Sequence, residues 1–342
     1  MNSESHGPEL SVIVPAFNAG ESLLKCVKSI RDQEGVSKES IELIVVDDGS
    51  GDKSADAVEA VVDRLVKLEE NQGAAAARNR GALEASADLL VFVDADVLLD
   101  SRALYNIRMA FSEDPSLDAA VGRYTEIPAV PGFLNAYHNA FTRYHHDLSP
   151  PEIDWFWGAL GAIKKSAFQK AGGFDERYQG ASAEDMELGK ALYHFGCRIA
   201  YLPEVEGEHA HAFSLKSMLA NDYKKAVLGT KLRLAGRLPS LAPGFAGKRN
   251  IATSLLASVL AVLLATGFFY PLAIVLALLV ICALALINAP YYSCLLRTLG
   301  RGDLLLSIPL HWLQFIVILA GGVMGFIGFM LGRDTFGRPG WI

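Results

Sequence analysis

The sequence predicts an α/β fold: a Rossmann-like sheet domain followed by an α-helical, membrane-spanning region. Three observations carry this. Short β-branched runs alternate with helical patterns through the N-terminal part, as a parallel sheet covered on both faces requires. From Ile251 to Ala289 there is no charged residue in 39 positions. Charge also divides along the chain: of 38 acidic residues only Asp222, Asp303 and Asp334 lie beyond position 208, against 12 of the 31 Lys and Arg. An acidic head therefore precedes a basic, apolar tail.

Taken in order, residues 1–9 form a flexible N-terminus. The stretch "MNSESHGPE" lacks the basic and apolar regions of a signal peptide, so the head is expected in the cytosol. The head spans 10–212. It opens with the strand "LSVIVPAF" and a helix near 19–31, then the strand "IELIVVDDGS" and a helix near 52–66, then a helix near 73–86 and the strand "DLLVFVDAD". Residues 213–249 mix Leu and Val with Lys and Arg and read as amphipathic interfacial helices, with packing against the head as the alternative.

Residues 250–332 read as about three transmembrane helices. A straight 39-residue helix is about 58 Å long, nearly twice a bilayer core of about 30 Å, and "GFFYP" at 267–271 breaks the run with Pro271 placed to start a second helix. A third span, about 304–331, carries a small-residue face at Gly321, Gly322, Gly325 and Gly328, suited to close helix packing and to self-association. Three crossings leave the C-terminal tail, 333–342, on the far side of the membrane. Cys26, Cys197, Cys282 and Cys294 show no metal-like spacing and read as reduced packing residues.

In a parallel sheet, ligands bind beyond the carboxyl ends of the strands. Three such ends are polar here: "PAFN" at 15–18, "DDGS" at 47–50 and "DAD" at 94–96. No GxGxxG follows a strand and no GxxxxGK[ST] occurs, which argues against a dinucleotide or P-loop site. Asp94 and Asp96, one small residue apart at a strand exit, can converge on a hard divalent cation that keeps positions open for phosphate oxygens. A diphosphate is the matching ligand. Glu184 and Asp185 stand at the start of a helical pattern, where helix capping accounts for them as readily as chemistry does.

The blocks "SVIVPAFNAGESLLKCVKSI", "IELIVVDDGSGDKSAD", "NQGAAAARNRGALEASADLLVFVDAD" and "GALGAIKKSAFQKAGGFDERYQGASAEDMELGKAL" resemble, in order, the signature blocks of family 2 inverting glycosyltransferases with the GT-A fold. The resemblance covers about residues 10–215. It implies transfer of a sugar from a nucleotide diphosphate sugar, a UDP- or GDP-sugar, with Mg2+ or Mn2+ as cofactor. It assigns Asp47, and less firmly Asp48, to the nucleotide, with Pro15, Phe17 and Asn18 as the pocket wall. Arg78 is assigned to the base or diphosphate, Asp94 to the sugar or ribose, and Asp96 with Asp94 to the metal. Asp185 takes the place of the catalytic base, flanked on the acceptor side by Trp157, Gly158 and Glu184. One histidine of "EHAHAFSL" is expected to complete the metal site, His209 ahead of His211. His145 and His146 read as interfacial.

One departure bears on mechanism. The Q-x-x-R-W block of processive relatives is absent, which favours transfer of a single sugar, and a retained Asp185 favours a hydroxyl acceptor over a phosphate. The expected partners are a lipid or lipid-linked acceptor and the membrane, and no nucleic acid. Two other readings are a polyprenyl-phosphate glycosyltransferase and a non-catalytic nucleotide-sugar-binding scaffold.

Overall fold

Strand β1 (Leu10–Ala16) is apolar on both faces because it is buried on both. Val12 and Val14 point to one side with Leu43, Val45, Val91 and Val93, and Ile13 points to the other with Ile44, Val46, Leu90 and Phe92. Full burial of each such side chain contributes about 1.5–3 kcal/mol relative to leaving it exposed. The computed structural model describes residues 7–178, 183–238, 247–267 and 269–332. Residues 1–6 of the expected N-terminus, 239–246 of the expected interfacial segment and the whole tail 333–342 lie outside the described residues.

β1 pairs in parallel with β2 (Ile41–Asp47) and β4 (Leu89–Val93), and β2 pairs in parallel with β3 (Arg64–Lys67). The sheet continues from β4 through β8 (Leu160–Lys164) to β6 (Ala119–Tyr124), both pairings antiparallel, and then to β9 (Ile199–His209), parallel to β6. The short strands β5 (Val97–Leu99) and β7 (Glu152–Ile153) pair antiparallel with β9. The sheet is thus mixed rather than parallel throughout, because the chain returns across β4 after the acidic turn at 94–96.

One face is covered by α1 (Glu21–Arg31) and α3 (Ala103–Glu113), the other by α2 (Ala74–Glu84), α5 (Lys165–Ala171) and α6 (Glu184–His194). In α1 the buried positions Leu23, Cys26, Val27 and Ile30 recur at helical spacing. The expected helix near 52–66 does not form. Its place is taken by a single 3-10 turn at Asp56–Val58 and by β3. A helix there leaves the edge of β2 unpaired, whereas β3 pairs Ile44 through Asp47 with Arg64 through Lys67, and Asp63 accepts from the Leu43 N–H at 2.7 Å.

After the sheet, α4 (Phe133–His146) and α7 (Leu215–Leu234) lie against a helical region of α8 (Lys248–Thr266), α9 (Pro271–Ile287) and α10 (Ala289–Met330). The 290–303 stretch is helical except at Gly300, whose φ of 82° interrupts α10. By length and composition α8 and α10 are long and apolar enough to cross a membrane; α9, with 17 residues, is shorter. Their outward faces carry Leu255, Val259, Val262, Leu278, Leu279, Val323 and Phe326 in exposed positions.

The small-residue face of α10 packs on α7. A Cβ added at Gly321 lies 2.7 Å from the Tyr223 carbonyl oxygen, and one at Gly325 lies 2.4 Å from that of Val227. Met218, Asp222, Ala226 and Leu232 of α7 are buried, and Lys224 and Lys225 are exposed. Gly325→Leu therefore forces the two backbones apart. It is expected to destabilise the chain by about 1–3 kcal/mol or more, read as a lower thermal midpoint with faster proteolysis of α7.

Candidate active site

The three polar strand ends meet along one edge of the sheet, as the parallel pairing of β2, β1 and β4 dictates. At the end of β1, Pro15 is half-buried and Phe17 is 49% exposed, with its ring free to meet a planar ligand. Asn18 adopts a positive φ of 48° and accepts through Oδ1 from the Gly51 N–H at 2.9 Å, which joins the first strand end to the second. Asp47 is buried, and its Oδ1 accepts from the Ser50 N–H at 3.0 Å. Asp48 has both oxygens engaged, accepting from the N–H groups of Gln72 and Gly73 at 2.7 and 2.8 Å. It anchors the start of α2.

The turn after β4 places Asp94 and Asp96 at the centre. Asp94 Oδ1 accepts from Arg78 Nη2 at 2.7 Å, and Glu184 Oε1 accepts from Arg78 Nη1 at 2.9 Å. The guanidinium is buried and lies over the Phe174 ring, 5.4 Å from its centroid. A fully enclosed cation needs partnered anions, and here two carboxylates hold it beneath the cleft. Burial disfavours the cation, but Asp94 and Glu184 outweigh that and raise its pKa above the ordinary arginine value. Burial also pushes Asp94 above the usual carboxylate value; Arg78 opposes that shift and Asp96 adds to it.

Asp96 faces the other way. β5 runs directly from the acidic turn and pairs antiparallel with β9, so Val97 lies across from His209, and the Asp96 carbonyl accepts from the Ala210 N–H at 2.7 Å. Asp96 Oδ2 is 3.6 Å from His209 Nε2 and 3.7 Å from His211 Nδ1. Both the preferred histidine and its alternative lie within reach of it. Residues two apart in an extended segment share a face. Burial works to raise the Asp96 carboxyl, but the hydrogen bond and charge of His209 and the charge of His211 prevail and lower its pKa.

Among the described residues no three His, Cys, Asp or Glu side chains close into a ready metal cage. One carboxylate with neighbouring imidazoles on an open side is nonetheless the donor set of a divalent ion completed by water and phosphate oxygens. The residues fit Mg2+ or Mn2+ on those terms.

Asp185 sits at the first turn of α6, where the helix N-terminus favours an anion. Its Oδ2 accepts from the Gly158 N–H at 3.2 Å, and its Oδ1 from the Met186 N–H at 2.7 Å. Burial and then the charge of Glu184 raise its pKa from 3.8 to about 7, with Arg78 and the two backbone donors pulling the other way. Gly158 lies close against the guanidinium: a Cβ there lies 3.0 Å from Arg78 Cζ, so a side chain at this position needs Arg78 to give by a few tenths of an ångström. Trp157 packs edge-on to Tyr124 and His146, with centroids at 4.8 and 4.6 Å. His145 bonds to the Phe141 carbonyl and to Asn250 within the helical region, and the His146 ring packs against Trp155 and Trp157.

Tyr124 was missed in the sequence. Its ring stacks on His209 at 4.7 Å, and burial with the nearby charges of Asp96 and Asp94 raises its phenol well above the ordinary value. A tyrosine at the end of β6, which neighbours β9, was the available signal.

A mixed sheet whose parallel edge presents an acidic pair, with a carboxylate at a helix start across a buried arginine, defines a GT-A-type transferase domain. Residues 11–172 match the family described as glycosyl transferase family 2. Validoxylamine A glucosyltransferase of Streptomyces hygroscopicus subsp. limoneus is 30% identical over 254 residues, covering 64% of this chain and 56% of the relative. The probable glycosyltransferase YdaM of Bacillus subtilis is 28% identical over 211 residues, covering 57% of this chain and 49% of the relative. The chain thus spans about half the length of these curated relatives. Among solved structures, a mannosyltransferase from Pyrobaculum calidifontis in complex with GDP-Man and Mn2+ superposes with a TM-score of 0.61 at 21% identity, over 96% of this chain and 89% of that one, which shows the shared fold.

Two substitutions test the geometry. Asp96→Asn is expected to abolish Mn2+-dependent nucleotide binding, measured by calorimetry, and to leave the thermal midpoint within a few degrees, since no buried partner depends on it. Arg78→Met strands two carboxylates and is expected to cost about 3–5 kcal/mol in a denaturant titration; Arg78→Lys restores only part of this, because one ammonium cannot reproduce the fork.

Proposed function

We propose that the chain is a membrane-anchored, metal-dependent, inverting glycosyltransferase. It moves one sugar from a nucleoside diphosphate sugar to a hydroxyl of a lipid or lipid-linked acceptor at the cytoplasmic face. The observation that carries this reading is the position of Asp185. Arg78 ties Glu184, the residue next to it, to Asp94 of the acidic pair, so the carboxylate stands across the same guanidinium from the donor side of the cleft.

The chemistry follows from that arrangement. Phe17, Asn18 and Asp47 line the nucleotide end of the cleft, and Asp96 with His209, His211 and Asp94 marks the diphosphate end. A Mg2+ or Mn2+ ion held there supplies positive charge against the leaving diphosphate, in keeping with the Mn2+ and GDP-Man bound by the Pyrobaculum relative. Inversion is a single displacement at the anomeric carbon. The acceptor oxygen attacks opposite the diphosphate, and Asp185 takes its proton as the new bond forms. A pKa of about 7 suits that task, because a large share of the group is ionised near neutral pH and it is still basic enough to accept. Trp157 and the Gly158 backbone flank the acceptor's approach. The exposed apolar faces of α8, α9 and α10 support a membrane anchor, and the adjoining α4 and α7 bring the acceptor side of the cleft towards it.

Asp185→Asn is the test. It is expected to lower kcat on the order of 10²-fold or more with donor affinity nearly unchanged, in assays of UDP-glucose and GDP-mannose with Mn2+ and membrane lipid extract. Loss of donor binding instead makes Asp185 structural. In the wild type, kcat is expected to rise with pH through about 7, where the carboxyl loses its proton. Stability runs the other way. A folded pKa above the unfolded one adds stability below the unfolded value, and that gain is lost as pH rises through about 7. Asp185→Asn is therefore also expected to raise the thermal midpoint at about pH 8 while leaving it little changed at about pH 4.

A further inference from the structure

Arg237 is fully buried, yet it belongs to none of the motifs above. It lies in the turn that ends α7, where its N–H donates to the Leu232 carbonyl at 2.8 Å. Its Nη2 donates to Asp175 Oδ2 at 2.7 Å and also to Glu187 Oε1, while the Tyr178 hydroxyl donates to the other oxygen of Glu187. Beside it, Lys190 Nζ donates to the Gly236 carbonyl, and Leu232 and Leu238 pack on Tyr178 and Ala183.

Every one of these partners flanks Asp185. Asp175 and Tyr178 precede it, and Glu187 and Lys190 follow it on α6. The opposite flank is held by α2. There Arg78 binds Glu184, and Asn79 exchanges hydrogen bonds with the Phe174 backbone, Nδ2 to the carbonyl at 2.8 Å and the N–H to Oδ1 at 2.9 Å. The segment that carries Asp185 is thus gripped from the sheet on one side and from the end of α7 on the other. α7 in turn is seated along the glycine face of α10. Apolar packing alone can hold a helix in place; a buried charge cluster adds a defined register, because only one arrangement satisfies all its partners.

We propose that Arg237 is a positioning residue for Asp185, fixing the start of α6 relative to the helical region that presents the acceptor. This rests on the reading of Asp185 as the base. The placement of a base is felt in the transition state and little in donor binding.

The test uses the full chain in detergent, with Arg237→Met, Arg237→Lys and the milder Glu187→Gln, which keeps hydrogen-bonding capacity and removes the charge. Turnover is followed with UDP-glucose and GDP-mannose, Mn2+ and membrane lipid extract, nucleotide binding with UDP and GDP, and backbone order by hydrogen exchange. Arg237→Met is expected to lower kcat about tenfold or more with donor KM changed by less than about threefold. Exchange should quicken in the first turns of α6 and stay unchanged in β1 and β4. Arg237→Lys should recover part of kcat, and Glu187→Gln should give a smaller change of the same kind. Wild-type kcat in Arg237→Met, or equal losses of kcat and donor affinity, overturns the proposal. If Arg237→Met does not fold, Glu187→Gln decides by the same two readouts. Absence of any turnover in the wild type removes the reading of Asp185; in that case unchanged exchange at the start of α6 in the variants overturns the positioning role separately.

Discussion

The two-armed contact of Arg78 is the constraint on which the site depends. One guanidinium, enclosed beneath the cleft, is shared between Asp94 at the end of a strand and Glu184 at the start of a helix. Neither carboxylate is free to move without uncovering a charge in a medium that cannot solvate it. The distance between the two halves of the cleft is therefore fixed by the span of a rigid, planar group rather than by loop packing. Asp94 is turned inward by this contact, which leaves Asp96 to face the histidines.

A division of labour between neighbouring carboxylates follows, and it recurs. Asp47 and Asp48 are adjacent, yet only Asp48 has both oxygens committed to the backbone at the start of α2. Glu184 and Asp185 are adjacent, yet one is paired with Arg78 while the other, among the described residues, accepts backbone N–H groups at a helix start. In each pair one acid builds the frame and the other is left to the cleft. Asp94 and Asp96 divide in the same way, with Arg78 on one side and imidazoles on the other.

The fold class was legible because the signals for it are local. Doubly buried strands such as "SVIV" and "LIVV" read as continuous apolar runs, and the acidic turn follows its strand directly. Features set by long-range pairing were not legible. Nothing near Arg64 announces that Arg64 through Lys67 will add to the edge of β2, and the segment's spacing suits a helix equally well. The antiparallel return of β8 across β4 is likewise decided by partners far away in the chain. The pairing of Arg78 with Asp94 and Glu184 was not legible because these partners lie 16 and 106 residues distant. Arg237 was invisible for the same reason. The approach of both His209 and His211 to Asp96 is local by contrast, since residues two apart in an extended segment share a face.

The Gly158 amide has a consequence for how this chain can vary. It donates to Asp185, and one residue later the Ala159 carbonyl accepts from the Asp94 N–H at 3.1 Å, after which Leu160 enters register opposite Val93. Three successive residues thus serve the base, the acidic turn and the sheet. Replacement of the side chains on either side is a matter of fit, but adding or deleting one residue between Trp157 and Leu160 shifts all three connections at once and turns the inward residues of β8 outward. Length, more than composition, is the property this short stretch cannot change.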